Sequence, residues 1–411
     1  MADPYVLVSM PDLFNGDVGD LRDLPDGWEL GQPNSWNSAY QQMVEILFAQ
    51  LVAERPVCVF VTGDLFEAHW GQDADGTEVF GPCRNDNEKT AAMRRAYRFY
   101  SGFYRRLFEN RELTFYPCVG DHELLDNPWR PGTWHYDMLN IAKDEFARAF
   151  TQGPDGSWRF DRRPIDTYAE GTSYAVRLPS ENDWNTLLVT CDVFRKVDDG
   201  SIQPDIGPTQ LDFIGAEITA ARTENPRCWV IVQEHVPVIA PVRAFHSSDI
   251  RYRRGVHSNF WALLKEMNVD LLLCGEVHDM TTRTDPTDTI PVQICHGAIP
   301  CWGNANYLRM EISDDRIDAR LKLFHGAYPA EAPLLWQTSH KRPPAQPDYV
   351  PEPYDSSWWT TPIDITYARS PSKKEAFVNH GGGDAGSMTL DRTSGQTTIV
   401  SRSDRLADYQ P

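Results

Sequence analysis

Short apolar runs alternate with longer amphipathic stretches along the first two thirds of the chain. The runs are rich in β-branched residues and nearly continuous in apolar positions, as expected for strands covered on both faces. The longer stretches carry apolar residues at helical spacing. Strands are predicted at residues 5–10, 57–63, 113–120, 186–192, 228–234 and 269–275, and helices at 38–54, 91–110, 208–225 and 258–267. This alternation predicts an α/β sheet layered by helices.

The remainder of the chain has a different pattern. The segments "VQICHGA", "YLRMEIS" and "RIDARLKLF" are separated by turn residues without a helical stretch, which predicts a closing antiparallel meander. From about Gly326 onward the sequence is rich in proline, tryptophan and serine, then in glycine, and "TLDRTSGQTTIV" is a candidate hairpin. So many prolines exclude regular elements. We therefore predict a domain at residues 1–325 and an extended tail at 326–411 that packs on or wraps around it.

Composition narrows the expected partners. The 411-residue chain has a formal net charge of −20, which would repel a phosphate backbone, so a small-molecule substrate is expected and nucleic acid is not. No apolar run approaches the roughly 20 residues of a membrane span, and the N-terminus lacks the pattern of a secretory leader. Most of the eight cysteines lie in apolar runs, which favours reduced, buried thiols. These features predict a soluble cytoplasmic protein with no membrane partner, and they leave its oligomeric state open.

Side chains that can bind metal ions follow five of the predicted strands. Because the carboxyl ends of parallel strands share one edge of a sheet, these side chains could converge there. A single aspartate at such a position is commonly a helix N-cap or turn former, and a single histidine is often hydrogen-bonded in a loop. So many at the ends of five strands favour a functional site. The residues are Asp12, Asp64, Asp121, His122, His235, Glu276 and His278.

The order of these residues resembles the signature of the calcineurin-like metallophosphoesterase family. That signature runs D-x-H, G-D-x-x-[DN], G-N-H-[DE], a later H, and G-H-x-H. The corresponding stretches here are "DLF", "GDLFE", "GDHE", "EHVP" and "GEVH", and the resemblance covers roughly residues 5 to 325. It implies a four-layer α-β-β-α sandwich of two mixed sheets, a two-metal site at the strand edge, and hydrolysis of a phosphoester.

The resemblance also implies a role for each matching residue. Asp12 and His278 would bind one metal ion, and Asp64 would bridge both ions. Asp121 and His235 would bind the second ion. Two divalent ions held in this way can clamp a phosphoryl group for in-line attack.

Several positions depart from the family signature. Phe14 replaces the histidine of D-x-H and cannot bind a metal, while Asp121 replaces a neutral asparagine. Glu67 replaces an aspartate or asparagine, and Glu276 replaces a histidine that would bind the second ion. His122 matches the signature and would lie near the leaving oxygen, as a proton donor or a stabiliser of transition-state charge.

These departures leave four carboxylates and two histidines as ligands. The carboxylates would cancel the formal charge of two divalent ions, which predicts a weaker phosphatase centre than the usual ligand set. Oxygen ligands favour Mn or Fe, with Mg or Zn as alternatives, and the loss of a ligand at Phe14 allows occupancy by one ion only. The same ligand types occur in di-iron and di-manganese proteins that handle oxygen. A redox reaction is therefore the alternative function, and a catalytically degenerate binding protein is the third.

Two segments supply candidate substrate contacts. The basic loop "RAFHSSDIRYRRGVHSNF" contains Arg243, His246 and Arg251, where arginines could bind a phosphate or carboxylate with two hydrogen bonds. The segment "LLDNPWRPGTWHYD" contributes Arg130 and His135 near the same edge. The alternatives are that the arginines pair with acidic surface neighbours and that the second segment only packs.

Overall fold

A computed structural model describes residues 3–13, 47–66, 80–239, 250, 252–276, 281–284, 290–297, 305–324 and 383–402. Its strands are β1 (Tyr5–Ser9), β2 (Cys58–Thr62), β3 (Phe115–Cys118), β4 (Tyr174–Pro179), β5 (Trp184–Thr190), β6 (Phe194–Lys196), β7 (Ile202–Pro204), β8 (Trp229–Gln233), β9 (Leu271–Cys274), β10 (Thr281–Arg283), β11 (Val292–Cys295), β12 (Ala305–Ile312), β13 (Arg316–Phe324), β14 (Gly383–Asp391) and β15 (Thr398–Arg402). The helices are α1 (residues 47–54), α2 (Asp86–Glu109), α3 (Trp134–Phe146), α4 (Pro208–Glu224) and α5 (Asn259–Glu266). A short π-helix, Ala147–Thr151, extends α3, and a 3₁₀ turn, Gly255–His257, precedes α5.

The strands form two large mixed sheets. The first has the order β15-β14-β13-β12-β1-β2-β3, in which β1, β2 and β3 are parallel and the other pairs are antiparallel. The second has the order β10-β11-β9-β8-β5-β4, with antiparallel pairs only at its two edges. Strands β6 and β7 form a separate hairpin. The six predicted strands and the α/β class are confirmed.

Successive residues of the central strands enter different hydrophobic cores. Phe60 of β2 and Trp229 of β8 belong to the core between the two sheets, while their neighbours Val59 and Val230 belong to the core that includes the helices. A strand has a side-chain period of two, so full burial of both faces requires a nearly continuous apolar run. This packing produces the four-layer α-β-β-α sandwich that was predicted.

Helix α2 begins earlier than its apolar pattern predicted. The prediction started at residue 91, whereas the helix starts at Asp86, with Asn85 as its N-cap. The side chain of Asn85 accepts a hydrogen bond from the backbone N–H of Glu88 at 3.1 Å. The first turn is polar because acidic side chains there are stabilised by the helix dipole, so apolar periodicity does not detect it.

The predicted closing meander is wrong in its pairing. Strand β11 lies parallel to β9 in the second sheet, whereas β12 and β13 form a hairpin beside β1 in the first sheet. The predicted final hairpin is present, because β14 pairs with β15 and also extends the first sheet through β13. Residues 325–382 lie outside the described residues, so the domain boundary at 325 stays a prediction.

Two further sequence features have a structural counterpart. Seven cysteines in the described part of the chain are free thiols, and all of them except Cys83 are buried. Within the same residues, no helix combines the length and the apolar content that a membrane crossing requires.

Candidate metal centre

The predicted ligands come from the strand ends of both sheets. Asp12 and Asp64 follow β1 and β2 of the first sheet, and Glu276 follows β9 of the second. All three have left-handed backbone, with φ of 51°, 50° and 65°. This conformation is uncommon outside glycine, and here it turns the chain at the sheet edge. These carboxylates are at most 2% exposed.

His235, at the end of β8, lies at the centre of the cluster. Its Nε2 atom is 3.2 Å from Asp64 Oδ1, 3.1 Å from Asp121 Oδ1 and 3.3 Å from Glu276 Oε2. One ligand atom from each of these four residues lies within 4.8 Å of the other three. We call this set of Asp64, Asp121, His235 and Glu276 the four-ligand cluster.

The hydrogen-bond partner of Nδ1 decides which ring nitrogen of a neutral His235 carries the proton. Its Nδ1 atom is 2.9 Å from the carbonyl oxygen of Thr62, which only accepts hydrogen bonds, so Nδ1 carries a proton. In a neutral ring Nε2 is then a lone-pair acceptor facing three carboxylate oxygens, which is a repulsive arrangement. A proton or a metal cation among these atoms removes the repulsion, and a backbone partner on the other nitrogen is usual for histidines that bind metals.

Burial and mutual repulsion oppose ionisation of the carboxylates. Burial, followed by the charge of Asp121, raises the pKa of Glu276 to about 8. Burial likewise raises the pKa of Asp64. Burial also opposes protonation of His235, but the carboxylates around it, Asp64 foremost, raise its pKa well above the usual range. Each of these shifts favours binding of a cation.

Asp121 is the exception among the carboxylates. Burial opposes its ionisation, but the hydrogen bond from His235 and the charge of His122 outweigh burial and lower its pKa. Asn127 contributes as well, because its Nδ2 atom donates to Asp121 Oδ2 at 2.9 Å and to Asp126 Oδ1 at 3.2 Å. The side-chain amide of Asn127 therefore holds the carboxylate of Asp121, which stands where the family signature has an asparagine.

Glycines allow the ligand loops to approach closely. A Cβ atom at Gly63 would lie 2.3 Å from His235 Nδ1, and one at Gly275 would lie 2.8 Å from Asp12 Oδ2. Real Cβ atoms do not make contacts this short, so a side chain at either position would displace a predicted ligand. The donor chemistry, the burial and this close packing fit a divalent cation with oxygen and nitrogen ligands.

Asp12 and His122 lie beside the four-ligand cluster. Asp12 Oδ1 accepts a hydrogen bond from the backbone N–H of Glu276 at 3.2 Å. His122 Nε2 is 3.8 Å from Asp64 Oδ2, and its backbone N–H donates to Asp64 Oδ1 at 3.3 Å. His122 also belongs to a second group of mutually close ligand atoms, with Asp121 and Asp126. The structure thus brings both residues to the cluster, while their roles stay predictions.

Glu276 lies past the end of its strand. On an extended segment, residues 276 and 278 would share a face, but β9 ends at Cys274 and Glu276 has left-handed backbone. Glu276 reaches the cluster because the chain turns after Gly275, so side-chain alternation along a strand is not the reason. His278 lies outside the described residues, as do Phe14 and Glu67.

Two of the five candidate substrate contacts lie within the described residues. Arg130 is exposed and His135 is half-buried at the start of α3, where Thr133 is the N-cap. Neither belongs to a group of metal-capable atoms in the described part of the chain. The basic-loop candidates lie outside the described residues: Arg243, His246 and Arg251.

Other polar residues near the strand ends were not predicted to take part. Asp126 and Asn127 lie in the segment "LLDNPWRPGTWHYD", yet nothing in their spacing indicates a contact with Asp121. Asp192 also follows a strand, and its Oδ2 atom lies 2.5 Å from Nζ of the buried Lys143. That ion pair is consistent with a structural role.

Comparison with known proteins supports the fold. No family model and no curated protein matches the chain. The solved structure of PhoD is similar with a TM-score of 0.52 and 10% identity, covering 100% of this chain and 74% of that chain. A dimetal phosphatase from Danio rerio has a TM-score of 0.45 and 13% identity, covering 79% and 98% of the two chains. GAP50, the anchor in the inner membrane complex of Plasmodium, has a TM-score of 0.40 and 11% identity, covering 78% and 85%.

Identities this low carry information about the fold and not about the reaction. Phosphatases and phosphoesterases are found among the similar structures. The similarity to PhoD and the two helix-covered mixed sheets show that this chain has a metallophosphoesterase-like fold, with a candidate metal-binding cluster at its strand ends.

Proposed function

We propose that this protein is a metal-dependent phosphoester hydrolase that acts on a small-molecule substrate. The observation that carries the proposal is the position of His235 Nε2, which faces three buried carboxylate oxygens at 3.1–3.3 Å while Nδ1 donates to a backbone carbonyl. The formal charge of three ionised carboxylates is −3, and one divalent ion would offset most of it. A purely structural cluster would not need this convergence.

Each residue of the cluster has a proposed role. Asp121, His235 and Glu276 would hold one ion, Asp12 and His278 would hold a second, and Asp64 would be a ligand of both. Divalent ions bound there would polarise a phosphoryl oxygen and make a water molecule more acidic. Asp64 and Asp121 would supply ligands from the first sheet, while His235 and Glu276 would supply ligands from the second.

The two ion positions are proposed to differ in affinity. The four-ligand cluster is complete within the described residues. The other position relies on Asp12 and His278, and Phe14 supplies no ligand there. We therefore propose one tightly bound ion and one weakly bound ion. Mn or Fe is favoured because oxygen ligands dominate, although cellular supply also decides which ion is bound.

His122 is the proposed proton donor to the leaving oxygen. It is 1% exposed and lies 3.8 Å from Asp64 Oδ2, so its ring adjoins the proposed bridging ligand. In this position His122 would neutralise charge that develops on the leaving group.

The test combines metal analysis with an activity panel. Protein purified without added metal is analysed for element and stoichiometry, then loaded with Mn²⁺ and assayed anaerobically on a broad panel of phosphate mono- and diesters. We expect Mn or Fe in the purified protein and release of phosphate or an alcohol from at least one ester. A protein that binds no metal after reconstitution and cleaves no ester contradicts the proposal and favours a binding protein.

A further inference from the structure

The carboxylate of Glu123 lies between the loop that follows β2 and the loop that follows β3. It is fully buried and accepts four backbone hydrogen bonds. Leu65 and Phe66 donate to Oε1 at 2.7 and 3.2 Å. Asp64 and Gly120 donate to Oε2 at 3.0 and 2.7 Å. One side chain therefore connects both loops that carry predicted ligands of the first sheet.

The backbone of residues 64–66 forms a concavity for an anion. Three successive N–H groups, from Asp64, Leu65 and Phe66, converge on the same carboxylate. The left-handed backbone of Asp64, with φ of 50°, turns these groups inward. Such arrangements of backbone N–H groups bind anions, and here the anion is supplied by the chain itself.

The two loops are in close contact at Gly120. A Cβ atom at Gly120 would lie 2.2 Å from Asp64 Oδ1 and 2.4 Å from Asp64 N. The same atom would lie 3.0 Å from Glu123 Oε2. The backbone of one loop thus touches both the ligand carboxylate and the carboxylate that connects the loops.

Helix α2 supports this connection from behind. The hydroxyl of Tyr97 donates to the carbonyl oxygen of Glu123, and the hydroxyl of Tyr104 donates to that of Leu65 at 2.6 Å. Both tyrosine rings are buried in the core that includes the helices. The backbone that positions Glu123 is therefore itself fixed by the core.

We propose that Glu123 is a positioning residue of the metal centre. Its carboxylate holds the loop of Asp64 against the loop of Asp121, so that both ligand carboxylates meet at His235. The effect on metal binding rests on the proposed function. The connection between the loops is a property of the metal-free protein and can be measured separately.

Replacement of Glu123 by glutamine separates the connection from side-chain volume. A glutamine has one acceptor oxygen, and its NH₂ group would face backbone N–H donors. At least one pair of the four hydrogen bonds would be lost, and the loops would separate. Loss of a residue that orients metal ligands typically costs about 10–100-fold in metal affinity, and we expect Mn²⁺ binding by Glu123→Gln to weaken by that amount.

Glu234→Gln is the matched control. Glu234 is as fully buried as Glu123 and is adjacent to His235, but its Oε1 atom accepts from Cys274 Sγ at 3.6 Å. Hydrogen–deuterium exchange of the metal-free proteins and Mn²⁺ titration are measured for wild type and both variants. We expect faster exchange of residues 64–66 and 120 and weaker Mn²⁺ binding in Glu123→Gln only, with other buried strands unchanged.

Glu123→Asp provides the test if Glu123→Gln is insoluble, because it keeps the charge and shortens the side chain. It should show the same changes to a smaller extent. Failure of both variants to fold would assign Glu123 to global stability and overturn the proposal. Wild-type loop exchange and Mn²⁺ affinity in folded Glu123→Gln would also overturn it. A wild-type protein that binds no Mn²⁺ contradicts the proposed function, while the exchange measurement still decides the role of Glu123.

Discussion

Both ends of strand β9 carry a buried carboxylate, but the two are neutralised differently. At the amino end, Asp270 Oδ1 lies 2.5 Å from Nη2 of Arg392 in the final hairpin and accepts from Thr397 Oγ1 at 2.7 Å. Asp270 Oδ2 accepts from the backbone N–H of Val230 at 2.8 Å. At the carboxyl end, Glu276 shares the single Nε2 atom of His235 with two other carboxylates.

The comparison separates an internal ion pair from a ligand site. Asp270 is 0% exposed and Glu276 2% exposed, so burial does not distinguish them. Arg392 is a permanent cation that the chain supplies to Asp270. His235 can supply at most one positive charge for three carboxylates, so the remaining charge must be offset by protonation or by an ion from solution. A buried carboxylate therefore indicates function when its neighbours are carboxylates as well.

The largest effect is expected from Asp64→Asn. The substitution preserves shape and removes the charge of the proposed bridging ligand, so metal content should fall and ester hydrolysis should drop by about 100-fold or more. Asp212→Asn, at an exposed position on α4, is the control that changes charge in the same way and should keep both properties. Full metal occupancy with wild-type turnover in Asp64→Asn would exclude Asp64 from the centre.

Arg392→Met tests the other end of the comparison. It leaves Asp270 buried without its cation, and breaking a buried pair in this way costs about 3–5 kcal/mol. We expect that loss in the free energy of unfolding, measured with urea, and a normal metal content in the folded fraction. The double variant Arg392→Met with Asp270→Leu should recover part of the stability. No change in unfolding would show that the hairpin is not anchored by this pair.

His296 is expected to make a smaller contribution to the free energy of unfolding, and this contribution depends on pH. It is fully buried, its ring nitrogens lie 3.0 Å from Ser9 Oγ and 3.2 Å from Asn306 Oδ1, and burial lowers its pKa from 6.5 to about 4. Between these values the unfolded chain binds a proton that the folded protein does not, so acidification favours unfolding. This contribution is absent above pH 6.5 and reaches at most about 3 kcal/mol near pH 4.

His296→Gln isolates that contribution. Glutamine keeps hydrogen-bonding groups for Ser9 and Asn306 but does not titrate. Urea unfolding across the pH window should show a shallower loss of stability on acidification in the variant than in wild type. Parallel curves for the two proteins would mean that His296 is already protonated in the folded state.

The smallest expected effect comes from Glu276→His. This substitution removes one negative charge and introduces the histidine that the resembling family's signature has at this position, so weak phosphodiesterase activity should rise several-fold. Ions that favour nitrogen ligands should gain relative to Mg or Mn. Glu276→Gln removes the charge without adding a nitrogen ligand, so it separates the two causes. Unchanged metal preference and activity in Glu276→His would show that Glu276 does not bind the ion.

The apolar patterns predicted the positions of the helices and strands better than they predicted which strands pair. The strand that ends before Asp64 and the helix that ends at Glu224 were both predicted within a few residues, because apolar periodicity reflects burial of the strand or helix itself. The pairing of β11 with β9 was missed, since a short buried strand contains no information about which sheet receives it. The anchoring of the final hairpin through Arg392 was missed for the same reason.

The order of residues along the chain is enough to tell which side chains follow the strands and which ligand types they offer. It also determined the helix and strand periodicities that lead to the α/β class. The packing of the two sheets was needed to show that His235 and Glu276 of one sheet meet Asp64 and Asp121 of the other. It was also needed to show that Glu123 connects the loops of Asp64 and Asp121. Side-chain periodicity is a local property of the chain. The contacts between ligands of different sheets depend instead on how the two sheets pack and on the left-handed turns after the strands. Long-range contacts hold those turns in place.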